Sequence, residues 1–502
     1  MDDRFSRRRF LVLGAGLMAS ASVAACGNPT GSPIEPTSRR VTDTDRARRA
    51  PNAATTSVNL NAIVDDVDLG EVIVRTWTYG GQLPGQEIRV RQGDVLNARV
   101  ANGLPQPTTV HWHGIALRND MDGVPDLTQP PIPPDEEFGY EFVVPNAGTH
   151  WFHPHVGTQL DRGLYAPLIV EDPDETGDYD DELVIVLDDW LDGIDTDPDS
   201  VLDDLIANPM DHGDMDMDDM DMSGMPTSGL LGGDAGDVTY PHMLANGRIA
   251  DAPRSFTTKA GQRIRLRLIN AASDTAFRVG VPGATMRVTH TDGFPVVDKE
   301  GGAVLLGMGE RIDAVITVPD TSVPVLALAE GRDSYAQVVL SVGNGASARV
   351  NDAVIRQLLE QPVLTVADFQ VTDEAALPKS SPDVAHDLIL RGPTSDYGWS
   401  INDTMFDHED PLQGSLPINP GQRVRLRFRN DTSMFHPMHL HGHTFQVRGQ
   451  DGPGARKDTA IVLPNETLEV EFDADNPGQW LTHCHNIYHG EAGMMSVVSY
   501  VE

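Results

Sequence analysis

One short pattern recurs three times in this 502-residue chain, at Gly93 through Asn102, Gly261 through Asn270 and Gly421 through Asn430. Each copy opens on glycine, continues with an acidic or amide residue, alternates apolar positions and ends on asparagine. The apolar sets are Leu96, Ala98 and Val100; Ile264, Leu266 and Leu268; Val424, Leu426 and Phe428. A period of two predicts a half-buried strand entered through a glycine turn. Copies spaced roughly 160 to 170 residues apart predict three related domains, each of a size that suits one β-sandwich. The 47 glycines and 36 prolines, with few long helical periodicities, agree with many short strands joined by turns. The chain is expected to be all-β.

Chemistry-bearing residues cluster around the first and third copies. His483-Cys484-His485-Asn486-Ile487-Tyr488-His489, followed by Met494, brings imidazoles, a thiolate and a thioether together. Two histidines, a cysteine and a distant, weakly bound methionine make the trigonal site of blue copper. Successive strand side chains point to opposite faces, so His483 and His485 face one way and Cys484 the other. The cysteine can then hold one copper while its neighbours hold a separate cluster, with a short covalent path between them.

His111/His113, His153/His155 and His439/His441 supply three more imidazole pairs at i and i+2. With His483 and His485 they make eight imidazoles, a number that suits three metals. One such pair is weak evidence, since a surface strand produces it readily. Four pairs, one of them wrapped around Cys484, are not accounted for by core packing. Imidazole alone also suits zinc, iron and nickel; the cysteine, histidine and methionine set selects copper.

The segments HWHG (111–114), HWFHPH (150–155), HPMHLHGH (436–443) and HCHNIYHGEAGM (483–494) resemble the copper signatures of the multicopper oxidases, the family of laccases and bacterial copper-efflux oxidases. The resemblance implies three cupredoxin-like Greek-key sandwiches over residues 58–172, 181–345 and 360–502. It implies a copper cluster between the first and third, with the middle domain as spacer and substrate wall. Four coppers would be held. His436, Cys484 and His489 would bind the blue copper, with Met494 axial. His111 and His439 would hold the mononuclear member of the trinuclear cluster, and His113, His153, His155, His441, His483 and His485 the coupled pair. Electrons would enter through His436 or His489 and cross Cys484 to His483 or His485, where dioxygen is reduced to water. Asp122 matches the family's proton-relay aspartate, and Glu491 resembles its second acidic donor, displaced by one position. His443 is expected to make a supporting hydrogen bond, and Trp112 and Trp151 to pack beside the cluster.

Ser6-Arg7-Arg8-Arg9-Phe10-Leu11 precedes an apolar stretch through Ala25, which resembles a twin-arginine export signal. That stretch is short for a membrane span. Val23-Ala24-Ala25-Cys26 resembles a bacterial lipobox, so residues 1–26 read as a lipoprotein signal, with simple cleavage as the milder alternative. Export would place the protein on the extracytoplasmic face of the bacterial membrane, anchored through Cys26. Residues 27–57 lack apolar periodicity and read as a flexible tether. A formal charge of −38, without any basic patch, argues against a nucleic-acid partner.

One acidic run stands apart. PMDHGDMDMDDMDMSGMP interleaves Met210, Met215, Met217, Met220, Met222 and Met225 with aspartates. Thioethers are soft ligands that favour Cu(I), and carboxylates attract cations over longer range. By resemblance, methionine-rich insertions mark the copper-efflux branch. There Met434 matches a substrate-copper methionine, and Asp431 lies near the expected carboxylate without being in register. Three functions fit: oxidation of Cu(I) for copper tolerance, laccase-like oxidation of phenols or aromatic amines, and non-catalytic extracytoplasmic copper binding.

Overall fold

A computed structural model describes residues 31–208, 227–343, 349–449 and 452–502. The three sequence copies become the strands Val95–Gly103, Arg263–Asn270 and Arg423–Asn430. Each is entered through a glycine at positive φ, +81° at Gly93, +75° at Gly261 and +83° at Gly421, a region that glycine reaches without steric cost. Each strand runs parallel to a preceding one, Thr55–Asp68, Asp181–Trp190 or Val384–Arg391. On its other side it runs antiparallel to Glu137–Val143, Arg311–Thr317 or Thr467–Asp473.

The closing asparagines do the same work in all three domains. The Asn102 amide donates to the Gln106 and Ile132 carbonyls, Asn270 to Thr275 and Leu306, and Asn430 to Met434 and Val462. Each asparagine oxygen accepts a backbone N–H two residues on, from Leu104, Ala272 or Thr432. A buried amide whose donors and acceptor are all used fixes the loop that leaves the strand. In the third domain that loop leads directly into His436.

Among the described residues the first domain has two four-stranded sheets, the second sheets of seven and six strands, and the third sheets of six and five. The predicted apolar sets are buried between them. Helices are few and short, so the all-β, cupredoxin-like expectation holds.

The tether expectation fails over the described part of residues 27–57. A helix, Arg39–Ala47, is capped by Ser38 and buries Val41, and a strand starts at Thr55. The Ile34 N–H donates to the Tyr500 carbonyl, Asp45 accepts from the Val143 N–H, and Arg48 donates to the Ala116 carbonyl. Polar pins and two buried apolar side chains, Ile34 and Val41, hold this segment, so it shows no apolar stripe in sequence.

Candidate metal centre

Two antiparallel strand pairs, one from each terminal domain, carry the histidine pairs. In the first domain His111–His113 pairs antiparallel with Gly148–His153, which sets His111 opposite His153. In the third, His436–Leu440 pairs with Gln479–Cys484, which sets His439 opposite His483 and Met438 opposite Cys484. Alternation sends Trp112 to the far face, where its ring lies 5.1–5.6 Å from those of Phe152, Phe142 and Tyr140 in the domain core. It does not pack beside the cluster, contrary to expectation. Trp151 does, 4.5 Å from the His153 ring and 5.1 Å from that of His113.

Cys484, His436 and His489 meet on one side of their strand. The Sγ atom lies 3.6 Å from His436 Nδ1 and 3.7 Å from His489 Nδ1, and the two nitrogens are 3.2 Å apart. All three side chains are buried, as is Met494, whose carbonyl accepts the Cys484 N–H. Thr432 Oγ1 engages His436 Nε2 at 2.8 Å, and Asp237 engages His489 Nε2 at 3.1 Å. Burial pushes the His489 imidazole down, but Asp237 and Cys484 outweigh it and hold it at about 10. Trp399 stacks on His489 with centroids 4.0 Å apart, and the Tyr397 hydroxyl donates to Asp237.

On the other side the eight remaining imidazoles converge between the first and third domains. His155, His441 and His483 bring nitrogens within 4.8 Å of one another, as do His111 with His439 and His441, and His111 with His113 and His153. The His485 ring lies 5.0 Å from that of His113 and 5.3 Å from that of His153. Of the six expected at the coupled pair, His155, His441 and His483 form one trio, while His113 and His153 share theirs with His111 and His485 lies beside them.

Buried polar atoms are normally paired. Here His111 Nε2, His113 Nδ1, His153 Nε2, His439 Nε2 and both ring nitrogens of His485 have no hydrogen-bond partner. Burial holds His113, His153, His155, His441, His483 and His485 well below the usual histidine range. Neutral, convergent and unpaired nitrogens are what metal ligation needs. The donor set fits copper on both sides: sulfur and imidazole at one, imidazoles alone at the other.

Asp122 sits inside this cluster. Its Oδ2 accepts from His441 Nδ1 at 2.9 Å and its backbone carbonyl from His111 Nδ1 at 2.9 Å. Gly123 at φ +85° lets the turn fold against the Val110 carbonyl, which a side chain would strike. Glu491 ends the helix Ile487–Glu491 and is partly buried. Burial and the nearby Asp199 push its carboxyl up to about 7. Its neighbour Gly490 lines a cavity of ≈ 10 Å³ shared with His153, His155, His483 and His485, room for about one water. His443 Nδ1 donates to the His441 carbonyl and its Nε2 accepts from the Tyr500 hydroxyl, as a supporting residue would.

Met434 is buried two residues before His436. Asp431 is exposed and forms a two-point ion pair with Arg429 at 2.8 Å. Met210, Met215, Met217, Met220, Met222 and Met225 lie outside the described residues, as does Cys26.

Sequence reasoning missed Asp237, Tyr397 and Trp399 around His489, and Asp458 and Arg311 behind His113. It also missed His150, fully buried with both ring nitrogens unpaired. The middle domain is more than a spacer. A Cβ on its Gly309 would lie 2.8 Å from His485 Cδ2 and 3.1 Å from His113 Cε1.

Family models described as multicopper oxidase match residues 65–175, 181–329 and 380–502. The chain is 46% identical over 503 residues to the multicopper oxidase MmcO of Mycobacterium tuberculosis, covering 99% of this chain and 97% of that one. It is 26% identical to copper resistance protein A of Pseudomonas syringae pv. tomato, covering 99% of each. Among solved structures, a multi-copper oxidase from Pseudomonas thermotolerans superposes with a TM-score of 0.66 at 29% identity, covering 89% of this chain and 100% of that one. The laccase from Botrytis aclada does so at 0.72 and 25%, covering 93% and 92%. With two copper-shaped donor sets on a threefold cupredoxin frame and such likeness along nearly its whole length, the chain belongs to the multicopper oxidase family.

Proposed function

We propose that this oxidase takes Cu(I) as its electron donor and passes the electrons to dioxygen, giving Cu(II) and water. The observation that carries the choice of donor is the closed surface over His489. Among the described residues its outward nitrogen meets Asp237, whose side chain is 3% exposed, and the His489 side chain is fully covered. A phenol has no bare imidazole edge to stack against there, whereas a small cation beside an aspartate needs none. The methionine and aspartate run at 210–225 suits collection of that cation, and the likeness to copper resistance proteins agrees.

In this reading His436, Cys484, His489 and Met494 hold the blue copper, and the eight imidazoles hold the other three. Copper supplies one-electron storage and dioxygen chemistry, while the protein fixes geometry and potential. Cys484 joins both sides through one peptide segment. Asp122 holds His441 and hands on protons, with Glu491 as their entry point from the helix end. Met434 and Asp431 are the described residues assigned to the entering Cu(I). Arg8, Arg9 and Cys26 direct export and lipid anchoring, which mass analysis of the mature N-terminus tests.

Dioxygen uptake by the copper-loaded protein, with Cu(I) against a phenol, decides the donor. Faster uptake with Cu(I) is expected; faster uptake with the phenol overturns the assignment.

A further inference from the structure

We infer that Asp458, clamped by Arg311, is the positioning residue that fixes how His113 and His439 face the cluster, while its counterpart Asp122 is left unclamped. The inference rests on the trinuclear reading above.

The two aspartates are mirror images in their contacts. The Asp122 carbonyl accepts from His111 Nδ1 in its own domain, and its carboxylate accepts from His441 Nδ1 across the interface. The Asp458 carbonyl accepts from His439 Nδ1 at 2.9 Å in its own domain, and its Oδ1 meets His113 Nε2 at 3.0 Å across the interface. His111 stacks on His441 and His113 on His439, both with centroids 3.8 Å apart. Each aspartate therefore holds one imidazole by main chain and one by side chain.

A carbonyl or an ionised carboxylate can only accept, so the ring nitrogen facing it carries the hydrogen and the other keeps its lone pair. His439 then presents Nε2 and His113 presents Nδ1, and both of these atoms are buried without a partner. Asp458 sets opposite tautomers on two neighbouring imidazoles, with the Thr459 hydroxyl, itself bonded to Asp458 Oδ1, lying 3.1 Å from His113 Nε2 and 3.0 Å from His439 Nδ1.

The mirror breaks at the guanidinium. Arg311 Nη1 and Nη2 donate to Asp458 Oδ1 and Oδ2 at 2.7 and 2.5 Å, a two-point fork between fully buried groups. Arg311 also donates to the Thr149 carbonyl at 3.1 Å and the Gly309 carbonyl at 3.0 Å, so all three domains meet on it. The glycine after His113 follows from this. A Cβ on Gly114, at φ +84°, would strike Arg311 Nη2 and come 2.8 Å from Asp458 Oδ2. Asp122 Oδ1, in contrast, faces no guanidinium and makes no hydrogen bond, with His111 Nδ1 3.3 Å away.

The asymmetry predicts different responses to the same substitution. In Asp458→Asn the amide has one acceptor for two demands. Turned to Arg311, its oxygen leaves an NH2 against His113 Nε2, which then has only the Thr459 hydroxyl to hold its hydrogen and otherwise yields it to Nδ1. Turned to His113, it sets NH2 against the guanidinium. In Asp122→Asn the oxygen can face His441 while the NH2 takes the place of Oδ1, where no guanidinium opposes it and His111 Nδ1 keeps its main-chain acceptor.

The test compares both variants with wild type in the full-length, copper-loaded chain, reading copper content, the blue absorption, the near-ultraviolet absorption of the coupled pair and the mononuclear copper by electron paramagnetic resonance. Asp458→Asn is expected to stay blue and to bind cluster copper about 10- to 100-fold more weakly. Asp122→Asn is expected to keep its copper and both absorptions while turnover falls. Unchanged cluster signals in Asp458→Asn, or equal copper loss in the two variants, overturn the inference. Should Asp458→Asn fail to fold, Arg311→Lys decides, because it keeps the charge and loses the fork: weakened cluster signals with intact blue colour support the inference, and wild-type signals overturn it. A wild-type chain without cluster copper sinks the trinuclear reading itself, whereas a loaded wild type beside an unaffected Asp458→Asn sinks this inference alone.

Discussion

His436, Cys484 and His489 come from one sheet and the helix that follows it in the third domain, whereas the cluster imidazoles come four from the first domain and four from the third. The first arrangement exists once a single sandwich has folded. The second exists only when two sandwiches dock in register, and that docking is held by buried polar contacts, directly as in His441 with Asp122 and through the middle domain's Arg311, which bonds both Thr149 and Asp458. The middle domain touches both, through Asp237 at His489 and through Gly309 behind His485 and His113. Disturbing the interface should therefore empty the cluster while the blue site persists. A change at Cys484, whose side chain serves the blue site and whose neighbours His483 and His485 serve the cluster, should do the reverse, removing the blue site and the electron path while the cluster persists.

Cys484→Ser has the largest expected effect. A hydroxyl is a poor substitute for a thiolate at a soft site. The strong blue absorption should vanish and dioxygen uptake should fall to background, while the fold and the coupled-pair absorption stay. A variant still blue would refute the assignment of Cys484. Gly309→Val comes next. Its Cβ would press on two imidazoles, and φ +82° is strained for a branched side chain, costing about 1–3 kcal/mol. We expect cluster copper and turnover to drop about 10- to 100-fold with the blue absorption retained. Parallel loss of both signals would show that the two sites do not separate as the comparison requires.

The parts that were legible in sequence share one property: their signal is local. Alternation around Cys484, the i, i+2 histidine pairs and the glycine-to-asparagine strand pattern each lie within about ten residues, where strand geometry alone fixes which face a side chain takes. Even Trp112 was within reach of that rule, since a residue between His111 and His113 must point away from them. Asp237 and Arg311 offered no such handle. Asp237 meets His489 across 252 positions, and Arg311 meets Asp458 across 147. A single polar contact between domains leaves no period or spacing to read. The segment before Thr55 was missed for a related reason, being held by scattered hydrogen bonds to the first and third domains.

Asp237→Asn sharpens the comparison from the blue side. A carboxylate at the outer nitrogen of a copper-binding imidazole favours the more positive oxidation state. Its removal should raise the potential of the blue copper and change turnover with Cu(I) by about 10-fold. The cluster signals should not move. A redox titration of the blue absorption checks this, and an unchanged or lower potential counts against the role given to Asp237.

Deleting residues 210–225 should have the smallest effect, because the donor sets assigned to both copper sites are drawn from other residues. If it gathers Cu(I), its loss lowers the local supply of donor without altering the electron path, so Cu(I) oxidation should fall several-fold at low donor concentration and recover as concentration rises. Oxidation of an organic donor should be unaffected, since thioethers and carboxylates concentrate soft cations and not phenols. The discriminating measurement is the ratio of the two activities across a range of donor concentrations. Equal losses with both donors would mean that the run supports the structure over His489, and the closed surface there would then lose its force as an argument for Cu(I).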